Sequence, residues 1–331
     1  MVNIPKSPCP PRIKTESDGS DSWIVSEKET EQRLDKSLTA HFDYHYSRSY
    51  FQFLIENGLV LVNGQVVKKR TKLTPGDEVE VEFAATAETD LLPEAIPLDI
   101  LYEDEHCLLI NKPAGLVVHP APGNWTGTFV NGLLYHCQTL SSELCPNTLR
   151  PGIVHRLDKD TSGILLAAKH LEAQQKFIAL FSSRTIHKEY LAVCVGLPYE
   201  GTIALPIGRH PILRKQMAVV QTGREAITES QNLGWDGKLG VAKLILKTGR
   251  THQIRVHLQS KGTPVLGDAL YGSASANRRY GVLRQLLHAS LIRFTHPFSG
   301  ENIEIRAPLP EDISLYIKKI LNQNLDLHFF L

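Results

Sequence analysis

The part of this sequence richest in groups able to do chemistry is Arg150-Pro151-Gly152-Ile153-Val154-His155-Arg156-Leu157-Asp158-Lys159-Asp160-Thr161-Ser162-Gly163, followed by the apolar run Ile164-Leu165-Leu166-Ala167-Ala168. A dense polar loop lies between two apolar strands, with Gly152 and Gly163 at its ends. Polar groups held by a rigid sheet are a common way to place catalytic side chains. Asp158 has a reference pKa of about 3.9, so it is ionised at neutral pH and available for covalent participation. Taken alone, the same aspartate more often caps a turn and pairs with Arg156, because turn-forming aspartates are commonplace.

Two further segments suit contact with phosphate. Gly208-Arg209-His210-Pro211, with Arg214, Lys215 and Arg224, lies in a Gly/Pro-punctuated insertion. Lys68-Lys69-Arg70-Thr71-Lys72 is a basic run between strands, a pattern that elsewhere is most often a solvated face. Metal and nucleotide chemistry find no support. His252 and His257 are five residues apart, poor spacing for two ligands on one helical face, and the sequence holds no GxxxxGK[ST] or GxGxxG run. The expectation is no metal and no cofactor.

Composition bounds the rest. A chain of 331 residues exceeds what one core usually serves, so two domains are expected. The five cysteines (Cys9, Cys107, Cys137, Cys145, Cys194) are odd in number, widely spaced and form no CxxC pair. That argues against a disulfide framework and for a reducing, cytoplasmic setting. No run approaches the roughly 18 apolar residues of a membrane span, and the first residues lack the apolar core of a signal peptide. Net charge is +1, unevenly spread: residues 97–321 hold 25 Lys and Arg against 18 Asp and Glu, a net +7, and the remainder holds 11 against 17, a net −6. The larger part is the basic one.

The elements that position these groups follow from periodicity. Residues 1–30, rich in Pro, Ser and acidic residues, read as a flexible tail. Arg33-Leu34-Asp35-Lys36-Ser37-Leu38 begins an amphipathic helix, and Ser49-Tyr50-Phe51-Gln52-Phe53-Leu54-Ile55 begins a second that ends at Asn57-Gly58. Leu59 to Val67 reads as strand, Asn63-Gly64 turn and strand, and Glu78-Val79-Glu80-Val81-Glu82-Phe83 as a further alternating strand. The acidic face of that strand is expected to look into solvent. Residues 31–83 thus form a small α+β module, 84–96 a linker, and 97–321 a long α+β domain with many short strands. That domain closes with a hairpin around Phe298-Ser299-Gly300-Glu301 and a helix from Asp312, leaving 322–331 as a short tail.

His155-Arg156-Leu157-Asp158-Lys159-Asp160-Thr161-Ser162-Gly163 resembles the signature of the RluA/RluD family of pseudouridine synthases. The likeness extends, in the family's order, over roughly residues 98–310. It takes in Asn111-Lys112-Pro113-Ala114-Gly115, Lys188-Glu189-Tyr190-Leu191-Ala192-Val193, Gly249-Arg250-Thr251-His252-Gln253-Ile254-Arg255, and Leu287-His288-Ala289 with His296-Pro297. The 31–83 module resembles the S-four-like RNA-binding module first known from a ribosomal protein. The resemblance implies a catalytic domain with a mixed, mainly antiparallel sheet and a reaction that needs no cofactor. It implies Asp158 as the catalytic carboxylate, Arg255 as its orienting cation and Tyr190 as the residue facing the base. Arg250 competes with Arg255 for that role. Thr251, as helix N-cap, would place Arg255 one turn into a helix. Arg156 is expected near the position a flipped-out uridine vacates, and Lys68, Lys69, Arg70, Arg209, Arg214 and Lys215 in contact with RNA.

The implied partner is ribosomal RNA of the large subunit, at an interface hairpin loop, with the closest form that of the RluD branch; a monomer is the default state. Relatives that modify other ribosomal or transfer RNA uridines remain alternatives. So does a non-catalytic rRNA-binding assembly factor, and so does a glycosidic hydrolase using Asp158 with Asp160 as the acid.

Overall fold

A computed structural model of the chain describes residues 20–27, 33–42, 48–83, 91–120, 126–137, 151–213 and 216–321. It divides near Asp90/Leu91 into two compact units. Among the described residues, no helix is long and apolar enough to cross a membrane.

In the first unit, helices α1 (Leu34–His41) and α2 (Arg48–Glu56) pack on a four-stranded antiparallel sheet. Its strands are β1 (Ser20–Ile24), β2 (Val60–Val62), β3 (Gln65–Val66) and β4 (Glu78–Glu82), in the order β1-β4-β2-β3. Leu34, Leu38, Phe51, Leu54, Val60, Val79 and Val81 are fully buried and make the core. The two-residue turn joining β2 to β3 has φ of 52° at Asn63 and 71° at Gly64, the positive pair that matches strand twist. Asp35 is buried and would be costly there alone; Arg33, Arg48 and Gln52 all donate to its carboxylate. Burial pushes its pKa up, but those donors outweigh it and hold it below the ordinary value.

Two boundaries differ from expectation. The tail assigned to residues 1–30 contains β1, which pairs register by register with β4 from Ser20↔Glu82 to Ile24↔Glu78. This edge strand is largely exposed, so its backbone pairing leaves no apolar alternation in Ser20-Asp21-Ser22-Trp23-Ile24. Its anchor is Trp23, stacked on His41 with ring centroids 3.8 Å apart. The linker assigned to 84–96 also runs too far. Residues 84–90 lie outside the described residues, but Leu91 packs on the core of the second unit, and Asn131 Nδ2 donates to the Leu92 carbonyl.

The second unit is built on a nine-stranded sheet. Along it run β5 (Ile100–Glu103), β6 (Cys107–Lys112), β7 (Ser162–Ala168), β14 (Leu287–Thr295), β8 (His187–Val195), β13 (Leu239–Leu246), β12 (Ile227–Trp235) and β9 (Gly201–Ala204), with β15 (Asn302–Arg306) on β14. Every pairing is antiparallel except β7 with β14, so the sheet is mixed and mainly antiparallel. A separate hairpin joins β10 (Ile207–Arg209) to β11 (Met217–Val219).

Both faces of the sheet are covered, which is why β6 and β7 read as unbroken apolar runs. On one face Leu108, Ile110, Leu165 and Ala167 meet α3 (Phe129–His136) and α5 (Gln253–Ser260). On the other, Cys107, Leu109, Ile164 and Leu166 meet α4 (Leu171–Ser182). Further along, Leu191, Val193 and Val241 meet Ile313, Ile317 and Ile320 of α7 (Glu311–Leu321). The short helix α6 (Ala274–Tyr280) lies between α5 and β14 in the chain.

The lone parallel pair fixes where the polar loop ends. Gly163 sits opposite Ala289 with φ of 108°, and a Cβ there would fall 2.2 Å from the Ala289 carbonyl oxygen. Only glycine permits that approach. Gly163→Ala should therefore cost about 3 kcal/mol or more, from left-handed strain plus overpacking. Urea unfolding of the two proteins measures this, and an unchanged midpoint would contradict it.

Candidate active site

The loop between Gly152 and β7 is held from below by a buried lysine. Lys112, at the end of β6, has no exposed surface and donates to the carbonyls of Pro113 (2.8 Å), Leu116 (3.1 Å) and Lys159 (2.9 Å). Three acceptors use all three ammonium hydrogens. Burial pushes its pKa down to about 7, against the pull of Asp160 and Asp158. Gly115 N–H also donates to the Lys159 carbonyl, and Thr161 N–H closes the turn onto the Asp158 carbonyl. These bonds leave the Asp158 side chain half-buried, facing a cavity of about 550 Å³.

Arg255 reaches Asp158 from the first turn of α5. Its Nη1 donates to Asp158 Oδ2 at 2.8 Å, while Nε and Nη2 donate to the two oxygens of Asp268 at 2.6 and 3.0 Å. Arg255 and Asp268 are 6% and 0% exposed, Asp158 19%. Burial would drive the guanidinium proton off, but the two carboxylates more than offset this and raise its pKa. Asp268 in turn accepts the N–H groups of Leu270 and Tyr271, so its charge is fully matched.

The helix that carries Arg255 begins one residue later than expected. His252, not Thr251, occupies the N-cap position, with φ of 56°, and no side chain caps the helix there. Gln253 does the anchoring instead. Its Oε1 accepts from Thr248 Oγ1 and Arg250 N–H, and its Nε2 donates to Ile227 O and Thr228 Oγ1. Of the two arginines considered, Arg250 donates through Nε to the Glu225 carbonyl, and Arg255 donates to Asp158.

Tyr190 lines the same cavity from the middle of β8, between Leu244 of β13 and Ala289 of β14. Its ring is 7% exposed and its hydroxyl has no hydrogen-bond partner among the described residues. Burial, with the Asp158 charge nearby, raises the phenol pKa, so the hydroxyl keeps its proton. Arg156 is exposed at the cavity wall. Lys188, two residues before Tyr190, also lines it; burial lowers its pKa, and it has no carboxylate partner among the described residues. Among the described residues Asp158 is the one carboxylate lining the cavity, set among Arg156, Arg184, Lys188, Lys247, Arg250 and Arg255.

The other expected contacts scatter. Arg209 is exposed on β10, while Arg214 and Lys215 lie outside the described residues. In the first unit Lys68, Arg70 and Lys72 are exposed between β3 and β4, and Lys69 pairs with Glu56 at 2.6 Å. Sequence reasoning gave Lys112, Asp268 and Tyr271 no role, because the contacts that tie them to the site (Lys159, Arg255 and His252) lie 13 to 47 residues away; the Gly267-Asp268 and Tyr271-Gly272 spacing was the available sign of a tight turn. The one mixed donor cluster among the described residues is Asp104, Cys107 and His296. Asp104 already accepts from His106 N–H, Cys107 N–H and the Tyr102 hydroxyl, and burial with the Asp104 charge keeps the Cys107 thiol protonated. His296 Nε2 is 3.2 Å from Asp104 without making a hydrogen bond, and the cluster brings the β14–β15 hairpin beside the β5–β6 turn.

The two carboxylates on Arg255 should respond differently to removal. Asp268→Ala leaves a buried guanidinium half-matched and should cost about 3–5 kcal/mol of unfolding free energy. Asp158→Ala, at the cavity wall, should cost less than about 1 kcal/mol. Equal losses in chemical denaturation would contradict this division of labour.

The likenesses of the chain agree with this geometry. Residues 106–260 match the family model of RNA pseudouridylate synthases, and residues 32–79 that of the S4 domain. The chain is 43% identical over 298 residues to the uncharacterized RNA pseudouridine synthase YlyB of Bacillus subtilis, covering 89% of this chain and 96% of that protein. It is 42% identical over 302 residues to ribosomal large subunit pseudouridine synthase D of Xanthomonas campestris, covering 88% and 89%. In fold it is similar to human RNA pseudouridylate synthase domain containing 4, with a TM-score of 0.53 at 24% identity over 68% of this chain and 94% of that one. With its basic cavity around one clamped carboxylate and an S4 domain ahead of it, the chain belongs to the RNA pseudouridine synthases.

Proposed function

We propose that the enzyme converts specific uridines of large-subunit ribosomal RNA to pseudouridine, with Asp158 as the catalytic carboxylate, Arg255 as its orienting cation and Tyr190 as the residue facing the base. The observation that carries the reading is one carboxylate, set among the cationic side chains that line the cavity and bonded through one oxygen to a buried guanidinium. The substrate reading is supported by relatives from Xanthomonas campestris and Nitrosomonas europaea, 42% and 44% identical, both named ribosomal large subunit pseudouridine synthase D. Within the large subunit, our reading of the target is an interface hairpin loop, on the resemblance to the RluD branch.

The isomerisation breaks the bond from C1′ to N1 of uracil, turns the base and forms a bond from C1′ to C5. A proton leaves C5 and N1 ends protonated, so no redox equivalent is consumed. Asp158 keeps one oxygen on Arg255 and presents the other to the cavity, where it can engage the sugar or the base covalently. A uridine must leave its stack to reach it, at a cost of a few kcal/mol. The cations Arg156, Lys188 and Lys247 suit the phosphates that flank an extruded nucleotide. Tyr190 offers a face for the uracil and an unpaired hydroxyl. A glycosidic hydrolase would need a second carboxylate as acid, and Asp160 is not among the residues of the cavity.

The test uses large-subunit rRNA and tRNA transcripts carrying tritium at uracil C5. The purified enzyme should release tritium from the rRNA transcript, and Asp158→Asn should lower the rate by at least about a thousandfold. Full activity of that variant would sink the catalytic assignment. Release from tRNA alone would move the substrate, and free uracil among the products would favour hydrolysis.

A further inference from the structure

His252 stands out among the residues around Asp158 for its backbone. Its φ of 56° and ψ of 21° are left-handed, a conformation that side chains with a Cβ rarely adopt. Such outliers persist where the surroundings over-determine them. Here the side chain is held by a hydrogen bond at one ring nitrogen and lies near the carboxylate at the other. Nδ1 lies 2.8 Å from the Tyr271 hydroxyl, and Nε2 lies 3.8 Å from Asp158 Oδ1, the oxygen that Arg255 leaves unbonded.

The proton arrangement follows from the partners. Burial lowers the imidazole pKa, and the charges of Arg255 and Arg156 lower it further, against Asp158 and Asp268. The ring is neutral and carries one proton. Tyr271 is buried, its phenol pKa is raised by that burial, and its oxygen already accepts the Met217 N–H at 2.8 Å. Its own O–H is free to donate to Nδ1. That leaves the imidazole proton on Nε2, the nitrogen nearer the carboxylate; the other tautomer would set a lone pair on that side.

We infer that His252, backed by Tyr271, is a positioning residue for the reaction: its Nε2–H aims the free oxygen of Asp158 into the cavity. The separation of 3.8 Å exceeds a hydrogen bond. Contacts of this kind commonly tighten when substrate binds. Arg255 fixes one oxygen of the carboxylate, and His252 fixes the plane about that bond. The inference rests on Asp158 being the reacting carboxylate.

Three substitutions separate this role from a purely structural one. Glycine suits the left-handed backbone best, asparagine next and glutamine least. Only glutamine carries an N–H out to the position of Nε2. Tritium release is measured under steady state on the rRNA transcript for His252→Gly, His252→Asn and His252→Gln, with Asp158→Asn alongside. Positioning predicts that kcat falls at least tenfold in the Gly and Asn variants, with KM within threefold of wild type and most of kcat regained in the Gln variant. Activity that instead follows backbone tolerance, with Gly at wild-type kcat and Gln slowest, overturns the inference. A loss carried by KM overturns it as well. If Asp158→Asn keeps its activity, the reading of Asp158 itself has failed; if it is inactive while His252→Gly is not, the His252 inference alone has failed.

Discussion

A guanidinium with 6% of its surface exposed must find its hydrogen-bond acceptors inside the protein, and Arg255 finds them in Asp158 on one side and Asp268 on the other. The two carboxylates are unequal. Asp268 takes two of the three hydrogen bonds, has no exposed surface and accepts two backbone N–H groups besides. It neutralises the arginine whether or not Asp158 reacts. Asp158 takes the third bond through one oxygen and keeps the other for the cavity. A carboxylate held in a fixed direction among cations needs little reorganisation during reaction, which is how preorganised charge lowers a barrier.

The rest of the second unit serves to bring these two ends together across 97 residues of sequence. Asp158 leaves the sheet just before β7, and Arg255 enters from a helix anchored on β12 by Gln253. The strands between them must be stacked in one order for the bond to form. The parallel contact of β7 with β14, open only because residue 163 is glycine, sets that order on one side. Lys112 then holds the loop by its carbonyls, so its place depends on backbone rather than on any neighbouring side chain.

Much of this was legible beforehand, for physical reasons. Loops with many polar residues between apolar strands announce themselves, as did the one that carries Asp158, and turn chemistry at Asn63-Gly64 and Asn57-Gly58 marks ends of elements. What escaped notice shares one trait: the signal lies in a partner remote in sequence. Asp268 is unremarkable until Arg255 is placed beside it. The strand Ser20–Ile24 pairs through its backbone, so its side chains need no alternation. Leu91 looked like linker because a single apolar residue docking on a core leaves no periodicity. The helix start at His252 rather than Thr251 turned on a backbone angle that no residue preference favours.

The central claim is that Asp158, oriented by Arg255, carries out pseudouridine formation in ribosomal RNA. The most direct measurement is a pseudouridine map of total RNA from cells with the intact enzyme and from cells carrying Asp158→Ala. The account predicts that specific large-subunit rRNA sites vanish in the variant while the protein still accumulates in folded form. Persistence of every site, in cells with no second enzyme acting on them, would contradict it.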